Sequence, residues 1–306
     1  MAWTERSKPL FACSVVLYVL SATAVALRFI ARFRILRVSG PSDWFILLTL
    51  LFASGNTICV ALHANYGLGR HMADLLPDEQ VVYYKVLFTA VIVGNISLVL
   101  TKISVLLLFL DIFVLTWIRK ATYLVMAMAI LGGLWMILST VFFCIPPEDF
   151  WNITAPDRRC LLGPTKWSVD AGLNLGLEVI IFCMPIPVVR FMKQMRPSQK
   201  VWVFIIFLLG FLVCLISLIR FYFLYFEIAS DDLSWTGVDI TYWSTVEINL
   251  PIIISCIPML TPLVRKRSLR SEGRQRDIDG LGDGLYPPTI SSPPIRLSSR
   301  ESHGFV

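Results

Sequence analysis

The fold is decided by the stretch Leu10–Leu27, LFACSVVLYVLSATAVAL, which contains no charged side chain. The stretch Trp44–Leu62, WFILLTLLFASGNTICVAL, has the same property a short distance along the chain. A helix that crosses the hydrocarbon core of a bilayer needs about 20 mainly apolar residues. Both stretches are continuously apolar and do not alternate with polar residues, which favours helices over the strands of a membrane barrel. The sequence therefore predicts membrane-spanning helices.

The composition of the whole chain agrees with this interpretation. Of the 306 residues, 56% are hydrophobic and only 16% are charged, whereas soluble domains have about 45–50% and about 25%. We predict an all-α membrane protein, a seven-transmembrane helix bundle over residues 10–264. The predicted helices cover residues 10–31, 44–63, 82–110, 121–145, 168–190, 201–226 and 240–264. In the fifth, Gly172-x-x-x-Gly176 is a pattern that permits close helix packing.

The distribution of Lys and Arg predicts the orientation of the bundle. One set of alternate loops carries fourteen basic residues near the helix ends and the other carries seven. Cytoplasmic loops of membrane proteins have the excess of positive charge. We therefore expect an extracellular N-terminus over residues 1–9 and a cytoplasmic C-terminus. The expected location is the plasma membrane, with another endomembrane as the alternative.

The predicted outer loop between helices four and five has two features of a secreted surface. Asn152-Ile153-Thr154 is an N-glycosylation sequon on the expected outer side. Cys144 and Cys160 bound the same loop, where an oxidising compartment allows a disulfide. Two free thiols are the alternative, because the sequence does not show that the two residues are close.

The last residues, 265–306, change in composition and are predicted to be a disordered cytoplasmic tail. This segment is rich in Lys, Arg, Ser and Pro and poor in large apolar residues. The basic run Arg265–Arg270 directly follows the last predicted helix, so we expect it to bind anionic lipid of the inner leaflet. Nucleic-acid binding is not expected. A cytoplasmic signalling partner is possible for such a tail.

Ionisable residues inside a bilayer are costly and by default indicate function or an ion pair. Helix depth at 1.5 Å per residue places Arg220, Glu247 and Glu178 in one polar layer of the outer half. Lys102 is expected nearer the cytoplasm, paired with Asp111 or with a backbone carbonyl. Three interpretations stay open for this layer: a structural ion pair, a ligand or ion site, and a proton relay.

Enzymes and retinal proteins are not indicated by the sequence. It has no His-Glu-x-x-His, no Gly-x-Ser-x-Gly and no phosphate-binding loop, and its three histidines do not form a metal-binding pattern. We therefore expect no catalytic residues, no metal and no cofactor. Retinal is attached as a Schiff base to a lysine, and residues 240–264 contain none.

A series of motifs resembles a known family. In order along the chain, they are Arg28 and Arg32 before Asp43, Gly67-Leu68-Gly69-Arg70-His71, Lys102-Ile103-Ser104, Cys144-Ile145-Pro146 with Trp151 and Cys160, Pro185-Ile186-Pro187 before Gln199-Lys200, Gly210 with Arg220, and Trp243-Ser244-x-x-Glu247-x-Asn249 before Pro258. The chain resembles the fungal rhodopsin-domain membrane proteins, also called the satratoxin-cluster membrane-protein family, over roughly residues 27–266. The family usually has an arginine at the position of Asp111 and an aspartate at that of Glu178.

The resemblance implies the fold and suggests two functions. Some members of the family are receptor-like proteins that sense surfaces or small molecules, and others are encoded beside genes for secondary-metabolite synthesis. The expected function is a receptor-like sensor of an extracellular cue, with an unknown small molecule or surface as ligand. The alternative is a transport or accessory protein for a mycotoxin-type gene cluster. The motif residue Asn249 joins Lys102, Glu178, Arg220 and Glu247 as a candidate for the polar layer or ligand site.

Overall fold

A computed structural model describes residues 4–37, 40–112, 115–152, 159–187, 197–228 and 232–283, without the side chains of 35–36, 112, 197–206, 227–228 and 259–283. Its main elements in these ranges are helices, numbered here α1 to α7. They are α1 Ser7–Phe29, α2 Pro41–Asn65, α3 Pro77–Ile112, α4 Thr116–Val141, α5 Gly163–Cys183, α6 Pro197–Ile228 and α7 Leu233–Asp283. A π-helix, Ile30–Leu36, follows α1, and short 3-10 helices cover Met72–Asp74 and Pro147–Phe150.

Seven helices are long and apolar enough to cross a membrane, which confirms the predicted all-α seven-helix fold. All of them begin a few residues earlier than predicted, for example α3 at Pro77, α5 at Gly163 and α7 at Leu233. Hydropathy alone missed these first turns because they are polar. Proline suits the first turn of a helix, where its missing N–H has no partner to lose, and it occupies that position in α3.

The C-terminal segment begins with a continuation of helix beyond the predicted end of the bundle. The contacts divide the chain into two units, Met1–Thr261 and Pro262–Val306. In the second unit, helix continues to Asp283, well past the expected boundary at residue 264. Arginine, which favours helix, is the most frequent residue type between 265 and 283. The remainder of the predicted tail, 284–306, lies outside the described residues.

The helices of the first unit alternate in direction, and neighbours in sequence pack side by side from α1 to α6. The helix ends beside Cys144 and Cys160 form what we call the disulfide end, which includes the start of α1. The other end is called the opposite end. A core cluster brings the middle of α7 against α1, α2 and α3. Its buried members are Val25, Ile46, Ala53, Leu98, Ile248, Ile252 and Cys256.

Small side chains set the close approaches between helices, as expected in a membrane protein. Ser7, Ser14 and Ser21 are fully buried at seven-residue intervals along α1. A Cβ atom added at Gly133 of α4 would lie 2.4 Å from Cγ2 of a valine in α3. By contrast, Gly172 and its partner in the predicted packing motif have nothing within 4 Å among the described residues. The glycine pattern in α5 therefore does not mark a contact within the bundle.

The α4–α5 connection is closed by a disulfide between Cys144 and Cys160. Beside it, Ile145 N donates to Arg159 O at 2.9 Å, and Leu161 N donates to the carbonyl of Phe143 at 2.8 Å. The linkage holds the end of α4 to the start of α5.

Asn152 of the predicted sequon is exposed in this same connection. Ile153 and Thr154 lie outside the described residues. Glycosylation at Asn152 therefore stays a prediction.

The loop after α2 docks on the start of α7 and explains the glycines of the Gly67–His71 motif. Gly67 and Gly69 have φ angles of 116° and 87°, a region that side chains rarely adopt. Their backbone groups bind Ser234, which donates to Gly67 O at 2.7 Å and accepts from Gly69 N at 2.9 Å.

A hydrogen bond between His71 and Asp232 reinforces this docking, with Nδ1 and Oδ2 2.6 Å apart. Slight burial would raise the pKa of Asp232. The hydrogen bonds that its carboxylate accepts from His71 and from the backbone outweigh that effect and hold the pKa below its ordinary value. Asp232 therefore stays ionised and keeps its contact with the loop.

Candidate functional site

Six polar side chains from four helices meet in the middle of the bundle, and we call them the ionic layer. Its members are Lys102 of α3, Asn174 and Glu178 of α5, Ser217 and Arg220 of α6, and Glu247 of α7. All except Arg220 are almost completely buried. Two cations, two carboxyl groups and two neutral side chains therefore share a site surrounded by apolar helices.

Lys102 connects α3 to α5. Its ammonium donates to Asn174 Oδ1 at 2.7 Å and to Glu178 Oε1 at 2.9 Å. Asn174 Nδ2 in turn lies 3.3 Å from the same Glu178 oxygen. The lysine is 7% exposed, so its ammonium depends on the hydrogen bonds that these two oxygens accept.

Glu247 is the centre of the layer, because it is bonded from three directions. Its Oε1 accepts from Asn174 Nδ2 at 2.8 Å and lies 2.8 Å from Ser217 Oγ. Its Oε2 forms the ion pair with Arg220 Nη1. Ser217 Oγ also bonds Glu178 Oε2. The result is one continuous network across α3, α5, α6 and α7.

The structure brings together Arg220, Glu247 and Glu178, as their expected depths suggested. Lys102 lies in the same layer, and the expected pairing with Asp111 is wrong. Side chains of a helix lean toward its N-terminus, which for α3 is the disulfide end. The long stem of Lys102 therefore carries its charge away from the opposite end and toward Glu178.

Asn249 is not part of the layer. Its Oδ1 accepts from Ser21 Oγ at 3.0 Å, and its Nδ2 donates to Thr245 O at 2.9 Å. Residues two apart on a helix point in very different directions, so Asn249 faces α1 while Glu247 faces α5 and α6. The contact of Asn249 with Ser21 joins α1 to α7, so we interpret its role as structural.

The sequence analysis missed Asn174 and Ser217, the two neutral members. A signal for both was present in the spacing. Asn174 precedes Glu178 by four residues, and Ser217 precedes Arg220 by three. Those intervals place side chains on one face of a helix, so each neutral residue necessarily accompanies its charged neighbour.

A cavity of about 320 Å³ lies on the disulfide side of the ionic layer. Its walls include Leu87, Val91 and Ile248, and its floor includes Asn174 and Arg220. Lys166 and Asp170 form an ion pair beside it, with Nζ and Oδ2 3.0 Å apart. The volume and the mixture of apolar walls with few polar groups are typical of a small-molecule site.

A second, smaller cavity of about 130 Å³ lies on the other side of the layer. Lys102 and Glu178 line it together with apolar residues that include Phe182, Phe207 and Pro258. The ionic layer thus separates two spaces within the bundle.

A second group of buried charges lies at the opposite end. Asp43 Oδ1 accepts from Arg28 Nε at 3.0 Å and from Arg32 Nη1 at 2.9 Å. Arg28 is fully buried and also donates to the Ser255 carbonyl at 3.0 Å. Arg32 Nη2 reaches the half-exposed Asp111 at 3.6 Å. The sequence analysis named these arginines as part of a family motif before Asp43, and the structure shows that they tie the end of α1 to α2, α3 and α7.

The fold and this internal network define a multi-pass membrane protein whose polar interior is enclosed by seven helices. The model for the fungal rhodopsin domain matches residues 27–266, most of the chain. The protein belongs to this family, which confirms the resemblance stated above.

Among the curated relatives, one kind is named as a receptor and a second kind is named for a biosynthesis gene cluster. The chain is 27% identical to the "Receptor GIN3" of Arthrobotrys oligospora over 262 residues, covering 83% of this chain and 61% of the relative. It is 26% identical to the "Polyenoic acids biosynthesis gene cluster protein Ba17b" of Metarhizium anisopliae, covering 94% and 80%.

A further relative of the second kind is the "Satratoxin biosynthesis SC1 cluster protein 4" of Stachybotrys chartarum. It is 24% identical to this chain, covering 56% of this chain and 61% of the relative. The chain spans about six tenths of the length of the first relatives it matches.

Proposed function

We propose that this protein is a receptor-like sensor that binds a small molecule in the cavity on the disulfide side of the ionic layer. The observation that carries the proposal is the floor of that cavity. Arg220 and Asn174 line the cavity and also belong to a network that connects four helices. A ligand that changes the contacts of either residue changes the packing of those helices against each other.

In this proposal the disulfide end faces the outside and the opposite end faces the cytoplasm, at the plasma membrane. The orientation is supported by the distribution of basic residues. The receptor name of one relative supports the same interpretation. The protein is assigned no catalytic activity, and its signal passes to a cytoplasmic partner.

A transport or accessory role for a secondary metabolite is the second candidate, and a specific observation favours it. Cavities lie on both sides of the ionic layer, as they do along a path that a gate interrupts. The two relatives named for biosynthesis clusters support this alternative.

Filling the cavity tests the proposal against the alternative. Ala171 is buried and lines the cavity, so Ala171→Phe occupies it. Leu173, two residues away and 41% exposed, provides the control Leu173→Phe on the outer surface of the same helix. Each variant is returned to a deletion strain, and transcripts and metabolites are measured in cells and in medium.

For a sensor, Ala171→Phe at normal protein abundance abolishes the transcript response and lowers pathway products in both fractions, while Leu173→Phe behaves as wild type. A product that moves from medium to cells with unchanged transcripts would instead support transport. Wild-type transcripts and products with Ala171→Phe would contradict both candidate roles for this cavity.

A further inference from the structure

The contacts of Ser217 determine how many protons the ionic layer holds. Its Oγ lies within hydrogen-bond distance of Glu178 Oε2 and of Glu247 Oε1. A serine hydroxyl has a single proton and can donate to one of these oxygens only. For both contacts to be hydrogen bonds, one carboxyl group has to carry a proton and donate it to the serine.

The other bonds indicate that this group is Glu178. Glu247 Oε1 already accepts from Asn174 and Glu247 Oε2 pairs with Arg220, which suits a carboxylate. A proton on Glu178 Oε2 donates to Ser217, and the serine hydroxyl donates to Glu247. Glu178 Oε1 remains free to accept from Lys102 and Asn174.

This arrangement leaves the layer with a net positive charge. Lys102 and Arg220 contribute two positive charges, and Glu247 contributes one negative charge. The nearby pair of Lys166 and Asp170 is neutral as a unit. An unbalanced charge in apolar surroundings is unfavourable, and an anion bound beside the layer would balance it while Glu178 keeps its proton.

Arg220 offers the place for that anion. Its Nη1 is taken by Glu247, whereas its Nε is buried and has no hydrogen-bond partner within the described ranges. The guanidinium side chain is 21% exposed and lines the larger cavity. The part of a guanidinium that lines an apolar cavity is a good partner for carboxylate oxygens.

We propose that the larger cavity binds a small carboxylic acid, whose carboxylate contacts the exposed part of the Arg220 guanidinium and whose apolar body lies along Leu87, Val91 and Ile248. This proposal rests on the proposed function and names the ligand class. The apolar walls exclude strongly polar acids, because such groups would lose their hydration without gaining partners.

Matched acids and amides test the ligand class. The full-length protein in lipid nanodiscs is titrated with octanoate and cinnamate and, separately, with the uncharged octanamide and cinnamamide. Affinity is obtained from the ligand-dependent unfolding temperature. We expect each acid to bind about tenfold or more tightly than its amide, since only the acid forms a charge-assisted bond with Arg220.

Two variants test whether Arg220 causes the difference in affinity between acids and amides. The double variant Arg220→Gln with Glu247→Gln removes the cation without leaving an unpaired buried carboxylate, and it should abolish the preference for acids. Arg119→Gln removes an exposed arginine in the first turns of α4, at the opposite end, and should preserve the preference. A preference that survives the double variant would overturn the role of Arg220.

Calorimetry in buffers of different ionisation enthalpy tests the proton count. A layer that already holds a proton binds octanoate near neutral pH without net proton uptake, whereas uptake of one proton per ligand would overturn the charge argument.

Equal affinity for acids and amides would overturn the ligand class, yet it would leave a ligand-binding cavity and the sensor proposal intact. Absence of binding by all four probes would overturn this inference. The phenotype of Ala171→Phe is a separate test of the sensor proposal, because it does not depend on the ligand class.

Discussion

Replacing Asp43 by asparagine should destabilise the bundle far more than the same replacement at Asp111. Both carboxylates contact Arg32, but Asp43 is 1% exposed and Asp111 is 39% exposed. Asp43→Asn keeps the shape of the side chain and removes the negative charge that pairs with Arg28. A buried cation then remains without compensation.

The magnitude follows from this burial. Loss of one partner of a buried ion pair costs about 3–5 kcal/mol, whereas exposed pairs contribute about 0–1 kcal/mol. The asparagine oxygen still accepts one hydrogen bond from the arginines. We therefore expect Asp43→Asn to lower the free energy of unfolding by about 3 kcal/mol, and Asp111→Asn by less than about 1 kcal/mol.

The assay is unfolding of the purified protein in mixed micelles by increasing detergent denaturant, followed by loss of helical circular dichroism. A third variant, Arg28→Met and Arg32→Met with Asp43→Leu, removes the carboxylate together with both of its buried arginine partners. Well-packed apolar replacements of a buried pair are often neutral, so it should recover most of the lost stability. Similar unfolding free energies for Asp43→Asn and Asp111→Asn would refute the reasoning.

Three further predictions concern packing and the disulfide end. Gly133→Ala should destabilise the protein by about 1–3 kcal/mol because its methyl group meets a valine of α3. Gly172→Ala should be neutral or stabilise the protein by up to about 1 kcal/mol. The free energies of detergent-induced unfolding of the two variants are compared. Asn152→Gln should remove an endoglycosidase-sensitive shift in electrophoretic mobility, and a wild-type protein without that shift would argue against an outer location. Cys144→Ser with Cys160→Ser opens a loop of sequence separation 16 and should lower stability by about 3 kcal/mol, measured as unfolding with and without reductant in the wild type.

The seven helices were predictable because each apolar run is long enough to cross a bilayer without help from tertiary contacts. The meeting of Arg220 with Glu247 was also within reach, since depth along antiparallel helices can be estimated from the rise per residue.

The position of Lys102 was not predictable from the depth of its backbone alone. A flexible stem separates its ammonium from the helix axis, and only the packed structure shows which way the stem turns. The burial of Arg28 was hidden for a related reason. A basic residue at the end of an apolar run has the same sequence pattern whether it faces lipid head groups or an aspartate of the next helix.

The described part of α6 buries little apolar surface against the other helices, so a movement of this helix would expose little of it. In its most apolar stretch, Phe207–Phe226, only 11% of residues are buried, compared with 50% in the corresponding stretch of α3. Lipid already covers most of this helix, while Ser217 and Arg220 attach it to its neighbours. A few polar bonds therefore govern the position of α6. A single change of charge at Glu247, where these bonds meet, can free the helix to move.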